Sequence, residues 1–364
     1  MVTTSVAEAR ALRVDSAANR AGEARVAALD GLRGVAVLIV LASHFSNAGL
    51  LPSPGMSGTG KSGVYLFFVL SAFLLADRIF ASHAGRLDHR AWLDYALRRV
   101  LRIWPLYLLV LLLSLALTRS GLPWHYAIDV PAFWRHLGLQ EGQSVLWSIP
   151  VEFTFYLVLP PLALAGHWLL ARRGGTVGFS VAMLVAVLAA HLAWPPGDSV
   201  VNDVRLGPYL PVFLCGVLAA GLWRRGDPTA ARIAWMLAGV IAVAAFVVTI
   251  PAVWAVLSGG PFQGDLTHRW FIGFGVLWAA LLLSVLRGPA RYRAVFEWGP
   301  LRAMGWISYS VYLWHMPIID IAKRLDVPGP ARTAIAATAI LAVGIVSYRL
   351  VERPLQRIRV PQRA

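Results

Sequence analysis

Leu29-Asp30-Gly31-Leu32-Arg33-Gly34 opens into an apolar string, Val35 to Ala42, that closes on Ser43-His44-Phe45. A run of this kind, with a guanidinium at one end and an imidazole at the other, reads as a membrane span that carries polar groups. Arg33 and His44 are eleven residues apart. At about 100° per residue their directions differ by only ~20°, so both lie on one helix face. Their axial separation is ~16 Å, about half of a ~30 Å hydrocarbon core. If Arg33 marks the cytoplasmic edge, His44 sits near mid-membrane, where a neutral imidazole is able to take a proton from a hydroxyl. The plainer reading of His44 is a packing histidine bonded to a neighbouring helix.

Further along the chain the same kind of run recurs. The 364 residues are 58% hydrophobic and only 14% charged, whereas about a quarter of a soluble domain is charged. Apolar runs of roughly 17 to 25 residues begin near 33, 62, 100, 146, 177, 206, 233, 269, 303 and 332 and end near 51, 80, 118, 170, 194, 223, 254, 286, 321 and 351. The expected fold is therefore all-α, a polytopic transmembrane bundle of about ten helices filling residues 29–354. A mobile cytoplasmic arm (1–28) precedes it, without the apolar core of a signal peptide, and a short basic tail (355–364) follows. A single cysteine, Cys215, excludes an internal disulfide framework.

The formal charge of +15 would point to nucleic acid in a soluble protein. Here the arginines cluster between apolar runs, which topology explains better. With the N-terminus inside, 25 of the 33 basic residues fall on the cytoplasmic side. Lys323, Arg324 and Arg332, in the ninth loop, run against the rule. N-in and C-in is the expected orientation, in the cell membrane, with no nucleic-acid partner and no metal.

Three further places carry ionisable groups at or within the runs. Arg98-Arg99-Val100-Leu101-Arg102-Ile103-Trp104-Pro105 starts the third. Arg99 and Arg102 share a face and form a pair of planar forks suited to phosphate, and Pro105 disturbs the helix there. Arginines at a cytoplasmic helix end are also ordinary orientation signals. Leu146-Trp147-Ser148-Ile149-Pro150-Val151-Glu152 enters the fourth run; Glu152, ~10 Å from its outer face, needs a partner. In the ninth run, Ile307 to Pro317 holds Tyr312 and His315 one turn apart, with His315 ~19 Å above Arg302. His44, Glu152 and His315 thus reach one level on three separate helices.

In this order the motifs resemble the acyltransferase-3 family of membrane O-acyltransferases, from Leu29 to Pro354. Arg33 and His44 match an Arg, ten residues and a His; Arg99, Arg102, Trp104 and Pro105 match its Arg-x-x-Arg element. Trp147, Ser148 and Glu152 match Trp-Ser-x-x-x-Glu, Ser310 to Pro317 the Tyr-x-Leu-Trp-His-x-Pro element, and Glu352-Arg353-Pro354 the ending. Gly63 to Leu74 departs from the pattern at Tyr65, usually acidic, and Ala72, usually glycine; Phe153 stands where a second glutamate is common. The resemblance implies transfer of an acyl group, acetyl or another short one, from cytoplasmic acyl-CoA to a hydroxyl of a sugar, a glycolipid or polysaccharide intermediate, or a glycosylated natural product.

It implies Arg99 and Arg102, with Arg33 nearby, at the phosphates of CoA; His44 as general base; and Glu152 orienting the imidazole or binding the sugar. Trp147, Ser148, Tyr312 and His315 are expected to line the substrate site. Some family members carry an extra hydrolase-like domain, and this chain is expected to be a stand-alone member. The rival readings are a transporter or flippase of a lipid-linked or acylated solute and a non-catalytic membrane scaffold.

Overall fold

The computed structural model describes residues 6–52, 55–81, 89–225, 231–264 and 269–358, with side chains from residue 25 onward. All regular structure among them is helical. The elements that matter here are α1 (Val6–Asn47), α2 (Gly60–Ala81), α3 (His89–Arg119), α4 (Val130–Leu137) and α5 (Ser148–Leu170). They continue with α6 (Gly175–Ala193), α7 (Leu210–Arg225), α8 (Arg232–Thr249), α9 (Pro251–Ser258) and α10 (Phe271–Arg287). The chain then forms α11 (Ala290–Phe296), α12 (Gly299–Trp306), α13 (Ser308–Lys323) and α14 (Gly329–Ser347).

Each of the ten expected apolar runs coincides with a helix, but only seven helices are long and apolar enough to cross a membrane. The other three, α7, α10 and α13, have 16, 17 and 16 residues, about 24 to 26 Å against a ~30 Å core. Local breaks explain two of them. A 3-10 turn at Gly207–Tyr209 precedes α7, and the ninth run is split where α12 stops at Trp306 and α13 starts at Ser308.

At the start of the chain, residues 6–28 are helical and continuous with the rest of α1, in line with their Ala, Arg and Glu content. Residues 1–5 and 359–364, the ends of the expected arm and of the basic tail, lie outside the described residues.

The bundle is built around α2, the most enclosed of the candidate spans, while α8 is the least. Helix α2 packs against α1, α5, α7 and α10. Where α1 meets the α11–α12 segment the backbones touch: a Cβ on Gly31, Gly34 or Gly305 would stand 1.8 to 2.1 Å from a carbonyl oxygen of Phe296, Leu301 or Asp30. Small residues at such seams allow the close van der Waals packing that holds helices together in lipid.

An ionic layer closes one end of the bundle. Asp77, buried near the end of α2, receives hydrogen bonds from Arg25 of α1 and Arg224 of α7. Arg225 donates to the Leu170 carbonyl at the end of α5, and Arg287 to the Leu222 carbonyl in the last turn of α7. These cations satisfy carbonyls that helix ends leave unpaired and oppose the negative ends of the helix dipoles.

Candidate active site

Two cavities in the bundle share part of their walls. The smaller, named the inner one for its arginines, ≈ 40 Å³, is lined by Arg33 of α1, Ser71 of α2, Arg102 of α3, Ser148 and Glu152 of α5, and Tyr309 of α13, among others. The outer one, ≈ 200 Å³, is lined by His44, Lys61, Ser144, Trp147 and Asn202, among others. Val64 and Tyr312 appear on the walls of both, so these two side chains form the partition.

Helix periodicity explains why one helix serves both. Arg33 and His44 lie on the same stripe of α1 and reach the two cavities in turn. His44 occupies the last turn of α1, and Arg33 stands about three turns before it on the same helix.

Glu152 lines the inner cavity and His44 the outer one, so the two do not share one pocket. Glu152 accepts at Oε1 from Ser71 Oγ at 2.7 Å and from the Tyr156 hydroxyl. It shares the inner cavity with Arg33 and Arg102, and among the described residues no ion pair joins either guanidinium to a carboxylate. Two cations and one anion line this wall, with Asp30 and Glu352 within electrostatic reach of Arg102. Arg99 lies off its wall: one turn away from Arg102, its guanidinium sits over the Tyr156 ring at 5.5 Å. The phosphate-type pair that faces the cavity is therefore Arg33 with Arg102, from two helices. Helix α3 runs unbroken through Pro105, so the proline does not end the helix that presents Arg102.

The partition is hydrogen-bonded in place. The Tyr312 hydroxyl donates to the Val145 carbonyl at 2.6 Å and accepts from Ser148 Oγ at 3.0 Å. Across the inner cavity, the Tyr309 hydroxyl donates to the Ile103 carbonyl at 2.8 Å and ties α13 to α3. Trp147 lies against Tyr209 with centroids 4.9 Å apart, and the Lys61 ammonium is 5.6 Å over its indole.

His315 is fully buried and is not among the residues lining the outer cavity. Its ring stands behind His44, centroids 5.0 Å apart. Its Nδ1 is 2.7 Å from the Tyr312 carbonyl, which only accepts. The proton therefore sits on Nδ1, and Nε2 is a bare acceptor with no partner among the described residues.

A loop structure supports the outer wall. Asp129 caps α4 by accepting from the Ala132 amide at 2.8 Å. His136 accepts the Gln143 amide at Nε2, 3.1 Å, and donates from Nδ1 to the Ala132 carbonyl, 2.8 Å. Burial pushes the His136 imidazole below its ordinary pKa, with Arg135 in the same sense and the Ala132 carbonyl and Glu141 opposing. Ser71, Tyr309 and Lys61 were not foreseen as site residues. Of these, Ser71 sits within Gly63–Leu74, the stretch that resembles the family's second-span motif.

Residues 26–349 match the family profile described as Acyltransferase domain. This chain belongs to the acyltransferase-3 family of membrane proteins, and with its apolar helices it is a multi-pass membrane protein. It is similar to the peptidoglycan O-acetyltransferase OatA of Listeria monocytogenes, 24% identical over 91% of this chain and 56% of that protein. It is likewise similar to the O-acetyltransferase OatA of Staphylococcus aureus, 25% identical over 90% of this chain and 57% of that protein. Nodulation protein 10 of Rhizobium leguminosarum is 26% identical over 91% of this chain and 93% of its own length. The chain thus spans a little over half the length of the O-acetyltransferases it matches. No solved structure matches it.

Proposed function

We propose that this chain is a membrane O-acyltransferase that moves a short acyl group, acetyl or similar, from acyl-CoA to a hydroxyl of a sugar or glycosylated acceptor, with His44 as general base. The observation that supports the reading is a pair of adjoining cavities, one lined by Arg33, Arg102 and Glu152 and the other by His44, with Tyr312 and Val64 on the walls of both. The proposed topology is ten spans with both termini inside, so that the arginine cavity faces the donor side.

In this account Arg33 and Arg102 attract the anionic end of CoA by charge and by planar N–H forks. At ≈ 40 Å³ the inner cavity holds a few water-sized groups, room for a thioester tip and not for a nucleotide. The phosphates stay nearer the Arg99 level. The acyl carbon reaches the outer cavity when the Tyr312 ring swings off Val64. There the acceptor hydroxyl loses its proton to His44 as its oxygen attacks the thioester carbonyl carbon, the C–S bond breaks, and the proton passes to the departing sulfur. His315, with its bare Nε2 behind His44, steadies the imidazolium formed in that step. Relatives named as peptidoglycan O-acetyltransferases favour a sugar-polymer hydroxyl as acceptor.

The test is to reconstitute the purified protein in vesicles, add labelled acetyl-CoA with a panel of oligosaccharides, and follow label into sugar ester. Ester formation that disappears with His44→Ala supports the reading. A protein that binds the donor yet transfers to water and sugar no faster than empty vesicles contradicts it.

A further inference from the structure

On the outer cavity wall Ser144 meets two partners from elsewhere in the chain. Its Oγ is 2.8 Å from His125 Nε2, and His125 Nδ1 is 2.5 Å from Asp320 Oδ2. Ser144 opens the 3-10 turn before α5, His125 lies in the α3–α4 loop, and Asp320 is near the end of α13. A carboxylate accepts, so the His125 proton sits on Nδ1; Nε2 is then the acceptor, and the serine hydroxyl donates to it. Nucleophile, base and orienting acid thus stand in hydrogen-bonded sequence, the arrangement that activates a hydroxyl for acyl transfer.

Three more observations point the same way. Ser144 and His44 line the same cavity, the space where the thioester would arrive. Its φ is +51°, a conformation uncommon for a residue with a Cβ and often found where function requires it. Asn202, at φ +61°, lines the same cavity. The ammonium of Lys61, also on that wall, supplies positive charge to a space in which an oxyanion would form.

We infer that Ser144, with His125 as its base and Asp320 as the positioning carboxylate, takes the acyl group from acyl-CoA as a covalent ester before it passes to the final acceptor. The inference rests on the acyl-transfer reading above and divides it into two half-reactions. In the first, Ser144 Oγ attacks the thioester carbonyl carbon, the C–S bond breaks, and the hydroxyl proton moves through His125 to the departing sulfur. In the second, the acceptor oxygen attacks the acyl-serine carbon, His44 takes the acceptor proton, the ester C–O bond to Ser144 breaks, and that proton returns to Ser144 Oγ. Atoms and charge balance without a further reactant.

The experiment incubates reconstituted protein with acetyl-CoA alone, measures CoA release, and maps acylated peptides by mass spectrometry after an acid quench. The wild type is expected to release CoA in a burst of up to one equivalent and to carry the acyl group on the Ser144 peptide. Ser144→Gly relieves the positive φ, so it should fold at least as well, lose the adduct and slow sugar acylation ~10²-fold or more. Ser144→Cys should accumulate an acyl thioester at the same position. Asp320→Asn should lower kcat by ~10²-fold or more with little change in KM and displace the pH profile; a mere loop tie would lower thermal stability alone. Normal sugar acylation by Ser144→Gly, or normal wild-type turnover with no adduct in wild type or Ser144→Cys, overturns the serine intermediate and leaves the acyl-transfer reading standing. No CoA release and no transfer by the wild type overturns both.

Discussion

Replacing Arg102 should weaken acyl-CoA binding through lost charge and lost geometry, and the two losses are separable. Arg102 faces a small cavity together with Arg33 and Glu152, so its removal takes one of the two positive charges from that wall. A hydrogen bond to a charged group contributes ~1.5–3 kcal/mol, and loss of one such contact raises Kd by about 10- to 150-fold at ~1.4 kcal/mol per decade. Arg102→Ala is expected to fall in that range. Arg102→Lys keeps the charge but not the planar fork and should recover only part of the loss. Adding Glu152→Gln to Arg102→Ala removes the carboxylate charge from the same wall, so the double variant should bind donor more tightly than Arg102→Ala alone, a coupling that the double-mutant cycle measures. Titration calorimetry with a non-hydrolysable acyl-CoA analogue at two salt concentrations is the assay. A Kd unchanged by Arg102→Ala, or a double variant weaker than the single one, refutes the assignment of donor recognition to this cavity.

Other perturbations test other links. Tyr312→Phe removes the hydroxyl that donates to the Val145 carbonyl and accepts from Ser148, leaving those two only the 3.4 Å bond between them; a loss of ~1–3 kcal/mol should appear as a lower Tm in a dye-based melt, with donor binding intact. Gly305→Ala puts a methyl group 1.9 Å from the Asp30 carbonyl, so the α1–α12 seam must part, at ~1–3 kcal/mol or more; the same melt should fall by several degrees. The depressed pKa of His136 means its stabilising contribution is fully present above the unfolded pKa of about 6.5 and is lost as pH falls through the lower folded value. Thermal stability should therefore decline on acidification below that point, and His136→Gln, which does not titrate there, should flatten this part of the curve.

The helical membrane architecture was legible in the sequence because apolar length alone dictates it, and so was the shared face of Arg33 and His44, which period 3.6 fixes. The division of Glu152 and His44 between two cavities was not legible, since the way α5 and α1 pack is a tertiary property. His125 and Ser144 carry no sequence signal, because both lie in the segment between α3 and α5, outside the apolar runs. Asp320 did carry a signal, a carboxylate inside the ninth apolar run, under the same rule that singled out Glu152.

The most direct test of the account is a rapid-quench comparison of wild type and His44→Ala with saturating labelled acetyl-CoA and a sugar acceptor. Loss of the imidazole should leave donor affinity within about twofold while the rate of sugar-ester formation drops ~10²- to 10⁴-fold. Sugar-ester formation by His44→Ala at close to the wild-type rate would contradict it.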